Sequence, residues 1–227
     1  MSTSPAVRDD LTEAHRLAWE HLASPGSWFT GAQRLELAAT ALMAITDREP
    51  VPPWVPVSST DRLPTDHVVP DAAHDVAYRI ARHAGTMTLA TYRTAADAIG
   101  ELPFVELCAI TSSVAAVAHF CRNIGTDIPP LPEDVPGDPT GERPDELAEP
   151  TLNWVPVAAP ADEVAAVVQA YSAVPGEQRN TWRMARAQYM PETEMVHPDW
   201  ARRTGGLTRA QMELVAARVS QIRECFY

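Results

Sequence analysis

Pro103-Phe104-Val105-Glu106-Leu107-Cys108-Ala109-Ile110-Thr111-Ser112-Ser113-Val114-Ala115-Ala116-Val117-Ala118-His119-Phe120-Cys121-Arg122-Asn123-Ile124-Gly125 is the most apolar stretch of the chain. A proline at its start and a glycine past its end are the punctuation of an α-helix. Its apolar residues do not keep to one stripe, so the helix over 104–123 is expected to be central and buried on most sides. Glu106 sits among Val105, Leu107, Ala109 and Ile110. A carboxylate there must find a partner or shift its pKa, and an ion pair between helices or subunits is the expected answer. Cys108 and Cys121 read as core thiols, because unpaired cysteine is among the most buried residue types. His119 reads as a surface or core histidine.

Helical periodicity extends to both sides of this segment. Leu11, Ala14, Leu17, Ala18 and Leu22 recur near every 3.6 residues and predict a helix over 6–23, ended by Pro25-Gly26-Ser27. Thr30 is the expected N-cap of a helix over 31–47, with Leu35, Leu37, Ala38, Leu42 and Ile45 as its apolar positions. Further helices are expected over 71–84, 86–99, 161–173, 176–190 and from 208 to the end. Strand signals are almost absent. The fold class is all-α.

Two proline-rich tracts interrupt the helices. The first holds Pro50, Pro52, Pro53, Pro56, Pro64 and Pro70; the second, 126–160, holds nine prolines and many acids. Such a tract stays extended and cannot bury a core of its own. The expected organisation is a helical unit over 1–125, a linker over 126–160 and a second helical unit over 161–227. An internal repeat supports duplication. Glu49-Pro50 followed by Trp54-Val55-Pro56-Val57 recurs one hundred positions later as Glu149-Pro150 followed by Trp154-Val155-Pro156-Val157. A fainter copy pairs Phe29-Thr30 and Glu36-Leu37-Ala38-Ala39 with Leu207-Thr208 and Glu213-Leu214-Val215-Ala216-Ala217.

Composition narrows the function. The 227 residues carry a formal net charge of −12, which argues against nucleic acid and anionic membrane surfaces as partners. No apolar run reaches the roughly 20 residues of a membrane-crossing helix, and Met1-Ser2-Thr3-Ser4-Pro5 lacks the basic start of a signal peptide. Three widely spaced cysteines do not make a disulfide framework, so a cytoplasmic protein with reduced thiols is expected. His67, His74 and His83 flank one helix, but no ligand-spaced histidine pair or Cys/His quartet accompanies them; no metal or other cofactor is expected. There is no glycine-rich phosphate loop and no Gly-x-Ser-x-Gly.

Chemistry is concentrated at the far end. Leu207-Thr208-Arg209-Ala210-Gln211-Met212-Glu213-Leu214-Val215-Ala216-Ala217-Arg218-Val219 leads into Ile222-Arg223-Glu224-Cys225-Phe226-Tyr227, with Glu213 twelve positions before Cys225. A thiolate is the nucleophile in peroxide and disulfide chemistry, so a carboxylate and a thiol on one helix are the beginnings of a redox site. Twelve residues of straight helix span about 18 Å. Glu213 therefore reaches Cys225 only if the helix breaks or another element folds back.

This stretch resembles the catalytic helix of the AhpD-like and carboxymuconolactone decarboxylase family, whose members are all-helical, usually oligomeric and often alkylhydroperoxidases. The family motif is Glu, eleven residues, Cys-x-x-Cys, three residues and His. Glu213 and Cys225 match its first two positions; the remaining cysteine and histidine would fall three and seven positions past Cys225, beyond Tyr227. Trp28-Phe29-Thr30-Gly31-Ala32-Gln33-Arg34 and Phe104-Val105-Glu106-Leu107 support the resemblance more loosely. It implies a duplicated AhpD-like helical bundle acting on peroxide or another small substrate with a dithiol reductant, as a homo-oligomer. Cys225 would be the resolving thiol and Glu213 a proton relay. Without the peroxide-attacking thiol, this chain is expected to turn over peroxide little or not at all. Earlier copies are degenerate: twelve past Glu36 is Arg48 and twelve past Glu106 is Ala118, although Cys121 falls fifteen past Glu106, near His119. Two other readings stand beside this one. The first is a redox-inactive helical scaffold or small-molecule binder of the same fold; the second is acid/base chemistry like that of the decarboxylases.

Overall fold

The computed structural model describes residues 6–47, 66–150, 154–158, 166–189, 206–222 and 225. Eight α-helices occur among them: α1 (Asp9–His21), α2 (Gly31–Thr46), α3 (Asp71–His83), α4 (Leu89–Ile99), α5 (Glu101–Ile124), α6 (Ala166–Gln169), α7 (Pro175–Gln188) and α8 (Arg209–Ile222). Among the described residues there is no β-strand, only one isolated antiparallel bridge between Ala148 and Val157. The all-α class holds. The first tryptophan-valine-proline copy at 54–57, most of the first proline tract and residues 161–165 of one expected helix lie outside the described residues.

α5 occupies the centre, as its sequence demands. Its buried residues include Phe104, Val105, Leu107, Ala109, Ile110, Val114, Val117, Ala118 and Cys121. α2, α3 and α4 pack on one side of it, and α1 and α7 on another. Gly125 closes α5 in the left-handed conformation, with φ 73°, where its N–H reaches back to the Arg122 carbonyl. One 18-residue window of α5 has a mean hydropathy of 1.6, enough by length and composition to cross a membrane, but 67% of that window is buried inside the fold.

α2 begins with a full capping box. The Gln33 N–H donates to Thr30 Oγ1 at 3.3 Å, and the Thr30 N–H donates to Gln33 Oε1 at 3.0 Å. Leu37, Ala38, Ala41, Ala44 and Ile45 form its buried stripe, while Leu35 and Leu42 pack at its edge. Thr30→Ala is expected to cost about 1 kcal/mol. That lowers the thermal midpoint by about 2–4 °C for a chain of this size, measurable by circular dichroism.

The proline-rich segment after α5 is extended and fastened along its length. Trp19 Nε1 donates to the Pro130 carbonyl at 2.9 Å. The N–H groups of Val135, Thr140 and Gly141 donate to the carbonyls of Ala23, Gly26 and Ser27 at 2.9, 2.9 and 2.8 Å. Ile128 and Leu131 pack against the core. The strap thus supplies the hydrogen bonds that the tight α1–α2 turn cannot make internally.

Candidate functional site

Cys225 and Glu213 lie at the C-terminal end of the chain. α8 opens with the device that opens α2: the Thr208 N–H donates to Gln211 Oε1 at 2.8 Å and the Gln211 N–H to Thr208 Oγ1 at 3.3 Å. The two Thr-x-x-Gln starts fall on the fainter sequence repeat. The packing differs. No residue of α8 is buried, and Leu214, Val215, Val219 and Ile222 are 55–70% exposed. Glu213 is exposed and pairs loosely with Arg209, 3.5 Å away one turn earlier. Cys225 is exposed, and its backbone N–H donates to the Ser220 carbonyl in the last turn of α8 at 3.0 Å.

The helix runs unbroken from Glu213 to Ile222, an axial distance of about 13 Å. No break occurs between Glu213 and Ile222, and Cys225 lies past the helix end. No disulfide joins Cys108, Cys121 and Cys225. Cys121 is buried and Cys108 partly so. Burial pushes the Cys108 thiol up to about 12, which keeps it protonated and unreactive at neutral pH. His119 is half-buried on α5.

The strongest electrostatic arrangement lies elsewhere. Arg34 of α2 is wholly buried between two glutamates: its Nη1 is 2.5 Å from Glu106 Oε1 on α5 and 2.7 Å from Glu177 Oε1 on α7. Glu106 Oε2 accepts the Trp28 N–H at 2.7 Å, and Arg34 Nη2 donates to the His21 carbonyl at 3.3 Å. His21 Nε2 lies 2.9 Å from Glu177 Oε1. Gly26 makes the approach possible, since a Cβ there would stand 1.9 Å from Glu106 Oε1.

The two carboxylates differ because their neighbours differ. Burial pushes Glu106 up; Arg34 opposes this, the charge of Glu177 adds to it, and the group lies above its ordinary value. Burial also acts on Glu177, but the hydrogen bond from His21 and the charge of Arg34 outweigh it and hold the group low. Arg34 stays charged: burial disfavours the cation, and Glu177 and Glu106 more than offset that. The cluster ties α1, α2, α5 and α7 together in a closed interior. Its placement is that of a clamp.

A second polar knot orders the entry to α3. Buried His74 holds Thr40 Oγ1 at Nδ1 and Glu36 Oε1 at Nε2, both at 2.7 Å. Glu36 also accepts the N–H groups of Val68 and Val69. Among the described residues, no three or more His, Cys, Asp or Glu side chains converge as a metal site would require.

Sequence reasoning singled out Glu106 and its need for a partner, but not Arg34 or Glu177. Arg34 did carry a signal: it lies three and four residues before Leu37 and Ala38, on the apolar stripe of α2. Glu177, 143 residues away from it, carried none.

The fold and its groups define an all-helical bundle with a buried ionic clamp and an exposed thiol three residues past the end of an exposed helix. No protein family, curated protein or solved structure matches the chain.

Proposed function

We propose that this chain is an alkylhydroperoxidase-like thiol protein of the AhpD-like group, acting in the cytoplasm. Cys225 is one member of its redox pair and Glu213 the proton relay. The observation that carries the reading is the exposure of Cys225 at the end of a helix that buries nothing. A thiol that exchanges with a partner must be reachable. Cys108, raised by burial to about 12, is a poor alternative. The exposed Leu214, Val215, Val219 and Ile222 suit cover by another copy of the chain. The helix, unbroken from Glu213 to Ile222, holds Glu213 more than two turns from the end that carries Cys225, so the relay works across such a contact between copies.

Disulfide exchange is the reaction to assay, because the reading gives Cys225 the resolving role. Its thiolate attacks one sulfur of a disulfide, a new S–S bond forms, and the other sulfur leaves as a thiolate. With 5,5′-dithiobis(2-nitrobenzoate), Cys225 is expected to react at least tenfold faster than a thiol in an unstructured peptide. Cys225→Ser removes that phase and Glu213→Gln slows it severalfold. A rate equal to that of the peptide thiol, unchanged in Glu213→Gln, would sink the redox assignment and leave an exposed but ordinary cysteine.

A further inference from the structure

Two adjoining cavities open at the elbow between α4 and α5. One, of about 470 Å³, is lined by Tyr92, Arg93, Asp97 and Trp154. The other, of about 610 Å³, is lined by Trp28, Arg143 and Glu149. Glu101 and Pro150 belong to both and join them into one groove. Together they have the size of a site for a small ligand.

The walls are held in place. Gly100, with φ 95°, lets α4 turn directly into α5. The Tyr92 hydroxyl donates to Glu101 Oε1 at 3.0 Å, and its ring stands edge-on to Phe104 at 4.9 Å. Trp154 lies 6.1 Å from the Tyr92 ring and keeps 42% of its surface exposed. A large exposed aromatic beside a cavity, as Trp154 is, marks a place where burial on binding is favourable. The charges have a pattern too. Each cavity has an arginine and a carboxylate of its own, Arg93 with Asp97 and Arg143 with Glu149. Among the described residues none of these four is committed to an ion pair.

We propose that this groove binds a short zwitterionic peptide with an aromatic side chain. The ring stacks on the exposed face of Trp154, the carboxylate meets one arginine, and the ammonium meets the carboxylate at the opposite end. The proposal is independent of the thiol reading.

Calorimetric titration of the full chain with Ala-Phe tests it. Saturable binding in the micromolar to millimolar range is expected. N-acetylation and C-terminal amidation should each weaken it at least tenfold. Trp154→Ala should do the same. Of Arg93→Gln and Arg143→Gln, one should match the amidation loss and no longer respond to amidation, which assigns the carboxylate end. All three residues are at the surface, so unchanged circular dichroism spectra confirm folded variants. Absence of binding at millimolar peptide overturns the proposal. So does equal affinity for free and doubly blocked peptide, which would mean apolar adhesion only.

Discussion

Replacing Arg34 with methionine is expected to lower stability by about 3–5 kcal/mol, the cost of removing one partner from a buried ion pair. Methionine nearly matches the arginine stem in length and adapts to irregular space, so little of the loss comes from a cavity. It comes from Glu106 and Glu177, 0% and 1% exposed, left facing each other without a cation. A loss of this size consumes a third or more of the stability of many domains, and the single variant can therefore fail to fold. The triple variant Arg34→Met, Glu106→Gln, Glu177→Gln keeps the measurement decisive. Neutral amides remove the uncompensated charge, and most of the loss should return. Urea unfolding followed by far-ultraviolet circular dichroism reads both. A single variant within about 1 kcal/mol of the parent would show the clamp to be incidental, as many ion pairs are.

The pH dependence of this difference has a definite sign. In the parent, Glu177 is held below its ordinary value. Its contribution is present above the unfolded carboxylate value, about 4.3, and is lost as pH falls through the lower folded value. His15, lowered by burial, acts the same way nearer neutrality: its contribution is complete above about 6.5 and lost as the pH drops. Glu106, raised mainly by burial, opposes them, since its ionisation costs stability that acid returns. Without Arg34, both glutamates behave like Glu106. The gap between parent and Arg34→Met should narrow from pH 7.5 to pH 5, and a gap that widens would contradict the charge argument.

Local signals fix most of the helices, and they are strong here. Thr30 and Gln33 cap α2, Gly125 closes α5, and the apolar run between Pro103 and Gly125 could only be a helix buried on most sides. The boundaries moved where the signals were weak: α4 begins at Leu89 rather than Thr86, because Thr88 accepts the Thr91 N–H as N-cap while 84–86 forms a short 3-10 turn. Long-range pairing was not legible. Nothing local in Glu177 or His21 announces Arg34, since a buried ion pair is a property of which helices meet. The described residues of the 126–160 tract, 126–150 and 154–158, form no helix, in keeping with an extended segment. What its composition could not reveal is that the N–H groups of Val135, Thr140 and Gly141 are spent on the carbonyls of Ala23, Gly26 and Ser27. The spacing of Glu213 and Cys225 was visible, but the consequence depended on whether the helix broke, and residues 214–222 contain neither proline nor glycine to break it.

Gly31→Ala should expose how firmly that strap is built into the fold. Gly31 is the first residue of α2, a position where alanine in an isolated helix would gain up to about 1 kcal/mol. Here a Cβ would stand 2.1 Å from the Ala23 carbonyl oxygen and 3.0 Å from that of Val135. Both are backbone atoms, and they cannot swing away as a side chain would. The Ala23 oxygen is further held by the Val135 N–H at 2.9 Å. Relief requires the end of α1 and the strap to separate from α2 together. The expected result is a loss of about 3 kcal/mol, at the upper part of the overpacking range. It should come with faster hydrogen exchange of the Val135 amide, because the shift breaks that bond. Gly176→Ala is the matched control: it also opens a helix, α7, but its nearest neighbour is 3.8 Å away, so it should be neutral or slightly stabilising. If Gly31→Ala behaves like Gly176→Ala, with Val135 still protected, the turn and strap are compliant. If stability and protection fall together, the proline-rich segment is part of the folding unit rather than a tether between two of them.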